Sequence, residues 1–127
     1  MRVQTADGRG TSVFPMTRKL SLDASAREQL AAARRSDARR AATTVVGGHE
    51  RVMRQTVVGL VAGAAMAEHE NPGEATLYVI IGRVRVEADG NAWEARTGDL
   101  LEIPPSRHAL RALEDSAVLL TAVPKAR

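Results

Sequence analysis

The sequence predicts an all-β, antiparallel barrel or sandwich preceded by one N-terminal helix. Three observations predict it. From about residue 42 onward the chain breaks into short β-prone runs divided by Gly, Pro and Asp turn signals. Several of those runs alternate apolar and polar residues with a period of two, as half-buried strands do. One earlier segment, residues 21–36, combines strong helix formers with a capping residue. With 127 residues and 44 % apolar content, the chain has the size and composition of one globular domain.

The expected organisation is a flexible N-terminal arm over 1–19, a helix within 20–40 and a barrel over 42–123. The arm has mixed polarity, two glycines, a proline and no clear period. In the helix, Ser21 or Asp23 can cap the first turn. Leu22, Ala26, Leu30 and Ala33 recur on one side as a narrow apolar stripe, which suits a helix lying outside a larger body or against a partner subunit. Arg27, Arg34, Arg35, Arg39 and Arg40 read as a solvated helix face. An acidic protein or nucleic acid docked on them is the weaker reading, because no motif for reading bases accompanies them.

The strands follow in order. The run 42–46 precedes Gly47-Gly48, a hairpin signal, and 49–60 reads as a longer strand. His49 is expected to be a surface or hairpin residue. Gly63 punctuates the next apolar stretch, and 75–81 is strand-like up to Gly82. In 83–88, Val84, Val86 and Ala88 face one way and Arg83, Arg85 and Glu87 the other. After the turn at Asp89-Gly90-Asn91, Trp93 and Ala95 share a face. Gly98-Asp99 turns into a strand over 100–103 that Pro104-Pro105 closes. His108, Leu110 and Ala112 lie on one face of the next strand, with Arg107 and Arg111 on the other. Glu114-Asp115-Ser116 turns into the last strand.

Composition narrows the function. There is no cysteine, which excludes disulfides, thiolate zinc sites and iron–sulfur clusters. Phe14, Tyr78 and Trp93 are the only aromatics, too few for a base-stacking platform, so nucleic acid is not the expected partner. The longest apolar run, Val57 to Ala67, is well short of the roughly 20 residues that cross a bilayer. The first residues have no apolar stretch behind their charge, so a secretory leader is not expected. The default expectation is a cytoplasmic protein. Formal charge is modest at +3, from 18 basic and 15 acidic residues.

Two blocks carry chemistry. In the first, Gly63 is followed by five residues, His69, Glu70, Asn71, and then Gly82 after the run ending in Ile81. In the second, Gly98 is followed by five residues, a Pro104-Pro105 turn and His108. Together they resemble the two signature motifs of the cupin superfamily, here a single-domain small cupin of the cupin 2 conserved-barrel type. The resemblance covers roughly residues 42–123. It implies an antiparallel jelly-roll barrel and a homodimer. In the family, two His and a Glu of the first motif and a His of the second hold a metal inside the barrel. Position by position, His69 and His108 match ligands, Asn71 stands where the second His belongs, and Ala75 stands where the Glu belongs. The turn before His108 is one residue short, with Ser106 where a glycine is usual.

Strand alternation sharpens this. His69 and Asn71, two apart, share a face on an extended strand. Ala75, Leu77, Val79 and Ile81 are expected to share one face of the following strand, and Glu74 falls on the other, where only a bulge or turn could recruit it. Two imidazoles and an amide make a poor set for a first-row metal. The favoured expectation is therefore a barrel that binds a small molecule, with His69, Asn71 and His108 as polar anchors and no metal or a weakly held Zn, Fe, Mn or Ni ion. The alternative is a metal-dependent cupin enzyme of oxygenase, isomerase or lyase type, with His69 and His108 as core ligands and Asn71 or Glu74 as weak additions. Both histidines could equally be barrel-lining residues satisfied by hydrogen bonds to each other, to Asn71 or to water.

Overall fold

The structure, a computed structural model, describes residues 17–69 and 73–124. Most of the arm expected over 1–19 lies outside the described residues. Helix α1 (Leu22–Arg35) starts where the Ser21 hydroxyl accepts a hydrogen bond from the Ala24 N–H at 3.1 Å, so Ser21 rather than Asp23 is the cap. Its last turn closes with the Ser36 N–H donating to the Ala33 carbonyl at 3.1 Å. Arg39, at φ 61°, turns the chain into the first strand.

Nine strands follow among the described residues: β1 (Arg40–Val46), β2 (Arg54–Leu60), β3 (Ala65–His69), β4 (Gly73–Ile81), β5 (Arg83–Ala88), β6 (Asn91–Arg96), β7 (Leu100–Glu102), β8 (His108–Ala112) and β9 (Ser116–Pro124). They form a five-stranded sheet in the order β1-β2-β9-β4-β7 and a four-stranded sheet in the order β3-β8-β5-β6, with every pair antiparallel. A chain that passes back and forth between two facing sheets in this order is a jelly roll.

Alternation decides the core. Val58 and Leu60 of β2, Leu77 and Val79 of β4, Val84 and Val86 of β5, and Leu110 and Ala112 of β8 meet between the sheets. The other faces of β2, β4 and β9 meet α1, where Ala26 packs with Val57, Ile80 and Ala117. The stripe read from the sequence is thus the packed side of the helix, with Ala26, Leu30 and Ala33 buried. Gly59 sits under it. A Cβ at that position would run into the Gln29 backbone and stand 2.6 Å from the Leu30 nitrogen, so the missing side chain lets the helix lie close to the sheet.

Two local expectations are corrected. Residues 49–53 are not strand. The Arg51 N–H donates to the Gly48 carbonyl at 3.2 Å, Gly48 has φ 128°, and Val52 and Met53 are exposed, so the hairpin loop runs to β2 at Arg54. Nor does Ile81 share a face with Ala75, Leu77 and Val79. A register shift between Val79 and Ile81 puts Ile81 with the helix-side core. Such a bulge adds one residue and reverses the alternation beyond it.

Candidate ligand site at the barrel mouth

One end of the barrel brings the His69 and His108 positions together. The register opposes His69, the last residue of β3, to His108, the first of β8. Only three residues separate His69 from Gly73, so the start of β4 must lie at the same end. There Ala75 pairs with Ala122 of β9 and accepts a hydrogen bond from the Ile103 N–H at 2.9 Å. The Ala75 side chain packs on the barrel core, and Glu74 is exposed on the opposite side of β4, across from Val123. Asn71 lies outside the described residues.

His108 is the polar centre of this end. It is only 7 % exposed, on the same strand face as Leu110 and Ala112. Its Nδ1 is 3.0 Å from the Ser106 carbonyl. A carbonyl only accepts, so Nδ1 carries the hydrogen, and in the neutral ring Nε2 is the basic nitrogen. The same bond fixes the ring's orientation. Ser106 is braced in turn, its hydroxyl donating to Asp89 Oδ2 at 2.7 Å, which ties the β7–β8 loop to the β5–β6 hairpin. Serine in place of the motif glycine thus gains a tether that a glycine could not make.

Sequence reasoning missed three contributors. Asp89 read only as a turn residue, and Ser106 only as a departure from the motif. Arg54 read as part of a long strand. It opens β2 opposite Ala122, in the same row as Ala75, and alternation places it on the barrel-side face with Val58 and Leu60. Two residues along, Thr56 is on that face too, and Thr44 of β1 stands opposite it. The mouth therefore has a polar wall on β1–β2, the histidine positions on β3–β8, and an apolar wall of the partly buried Ala75, Leu101 and Leu120 between β9 and β7, with Leu77 and Ile103 buried behind it. Trp93, opposite Val86 on the edge strand β6, is 38 % exposed and so belongs to the rim. His49 is exposed in the hairpin loop, as expected, and Tyr78 packs on the helix side.

A small jelly roll with a buried, oriented histidine at one open end defines the class. The chain belongs to the cupin domain family, whose profile matches residues 56–124. Solved structures agree on the fold. A conserved protein of unknown function from Streptococcus pyogenes is 24 % identical with TM-score 0.64, over 72 % of this chain and 80 % of its own. An RmlC-like cupin protein from Desulfovibrio desulfuricans is 28 % identical with TM-score 0.60, over 70 % and 86 %. A Cupin 2 conserved barrel domain protein from Salinispora arenicola CNS-205 is 19 % identical with TM-score 0.60, over 85 % and 87 %. No curated protein matches the chain. Among the described residues, no helix is long and apolar enough to cross a membrane.

Proposed function

We propose that this cupin binds a small molecule in its barrel, with His69, Asn71 and His108 as polar anchors and a metal absent or weakly held. The observation that carries the reading is the pairing of a kept histidine with a lost carboxylate. His108 is buried and oriented, while the position that resembles the family's Glu is Ala75, a methyl packed on the core. Glu74 is exposed on the far side of β4 and does not replace it. A catalytic first-row metal takes about three protein ligands. The described donors fit such a set poorly, and His69 and Asn71 would have to supply the rest. A cavity with an apolar wall and a few convergent polar groups is the usual form of a small-molecule site.

A second reading is favoured by one feature. An Nδ1–H bond to a backbone carbonyl is the arrangement that commonly stands behind a metal-binding imidazole. That keeps alive a metal-dependent enzyme with His69 and His108 as core ligands. The two readings separate in one experiment. Protein purified without added metal is analysed for bound elements, then titrated calorimetrically with Zn(II), Fe(II), Mn(II) and Ni(II) and with a panel of small organic compounds. Metal far below one equivalent per chain, with saturable binding of organic compounds by the metal-free protein, is the expected result. Stoichiometric metal that survives dialysis, with no organic compound bound in its absence, would overturn it.

A further inference from the structure

We infer that Arg54 is the anion-binding residue of the barrel mouth, and that the ligand is a small carboxylic acid with an apolar body. The inference rests on the small-molecule reading above and names the ligand's class. Register provides the placement. Arg54 pairs with Ala122, which pairs with Ala75, so the arginine lies in the row that faces the His69–His108 end of the other sheet. No shift interrupts the β2–β9 register, and the face that carries Arg54 and Thr56 carries Val58 and Leu60 of the barrel core. Facing sheets stand about 10 Å apart, a gap that an arginine side chain and one small ligand can span between them.

Local geometry keeps the guanidinium at the rim. A Cβ built on Gly47 would stand 3.5 Å from Nη1 and 3.6 Å from Cγ of Arg54, so the side chain runs along the end of β1 beside that glycine. It makes no ion pair among the described residues. Glu74, the acidic residue in the neighbouring row, is exposed on the other face of its sheet. Arg54 is thus a cation at one end of the barrel, on the same sheet as the aliphatic Ala75, Leu101 and Leu120. Guanidinium groups bind carboxylates through paired N–H donors, which fixes orientation as well as charge. A carboxylate held at Arg54 would leave the rest of a small molecule against the partly buried Ala75, Leu101 and Leu120.

The test compares acids with their uncharged amides. Isovalerate against isovaleramide and benzoate against benzamide are titrated into the wild-type protein and into Arg54→Met and Arg54→Lys variants. Circular dichroism confirms that the variants are folded. In the wild type each acid is expected to bind about tenfold more tightly than its amide, as one charge-assisted contact provides. Arg54→Met brings the ratio close to one and leaves amide affinity unchanged, and Arg54→Lys retains part of the preference. An amide that binds the wild type as well as its acid overturns this inference alone, as does an acid preference that survives Arg54→Met. Failure of all four compounds to bind overturns the inference together with the reading on which it rests.

Discussion

Asp115 sits in the turn between β8 and β9 and holds two other parts of the chain. Oδ1 accepts the Ala62 N–H at 2.9 Å, which fixes the turn before β3, and Oδ2 meets Arg34 Nη2 of α1 at 3.0 Å. The backbone bond is the main reason its carboxyl titrates below the ordinary value of 3.8, and the Arg34 contact adds to it. A lowered native value means the ionised form is favoured by folding, so this stabilisation is present above the ordinary carboxylate range and fades as pH falls through the native value. The pair is partly exposed, so Asp115→Asn should lower stability by only about 1 kcal/mol at neutral pH. Urea midpoints of the two proteins should converge as acid protonates the aspartate, and a gap that stays the same from neutral pH to strong acid would contradict the assignment. None of this was legible in the sequence, where Asp115 was one residue of a turn. Its partner Ala62 is 53 positions away, and no local pattern encodes such a contact. The same holds for Ser106 and Asp89, 17 positions apart. Ser21 and His108 were legible because a cap and a strand face are local properties.

Elements were read best where alternation is unbroken. The strands β5 and β8 fell out of their period-two patterns, and α1 from its stripe, because each buries one face of a regular element. The errors came where regularity stops. The loop 47–53 contains β-prone Val52 and Met53 but has no strand partner beyond the Val46–Gln55 pair, and the bulge before Ile81 is a tertiary accommodation invisible in composition. How closely α1 packs was also hidden, since Gly59 looked like a weak point inside a strand. Gly59→Ala tests it. The new methyl meets helix backbone rather than a flexible side-chain tip, so the helix must shift as a body. Overpacking of this kind should destabilise by about 2 kcal/mol, read from urea unfolding. A change within about 0.5 kcal/mol, the range of an ordinary surface substitution, would mean that the helix does not seat there.

At the scale of the molecule, the fold was legible while the site was half so. The two motif blocks implied the jelly roll and placed His108, but a ligand's chemistry depends on what the rest of the barrel brings to the mouth, and Arg54 reaches it only through pairing with β9. The same pairing has a consequence for folding. The barrel core and the helix-side core are distinct clusters, yet both are built from β2, β4 and β9. Val57 faces the helix and Val58 the barrel, Ala117 and Val118 divide likewise, and β4 gives Leu77 and Val79 to one and Ile80 to the other. Separating α1 from the sheet exposes Val57, Ile80 and Ala117 without any compensating burial, and opening the barrel removes the platform on which α1 rests. Neither cluster has strands of its own on this side, so a barrel that survives loss of the helix is not expected. Unfolding should therefore be a single transition. Trp93, the only tryptophan of the chain, stands on the rim of the four-stranded sheet and reports the barrel by fluorescence, while far-UV circular dichroism reports α1 as well as the strands. The two probes should give coincident urea curves, and Leu30→Ala, which empties a buried position on the packed side of α1, should move both midpoints together by the equivalent of about 2–5 kcal/mol. A dichroism transition that precedes the fluorescence transition, or a Leu30→Ala variant in which only the dichroism curve moves, would show that α1 unfolds from a barrel able to stand alone.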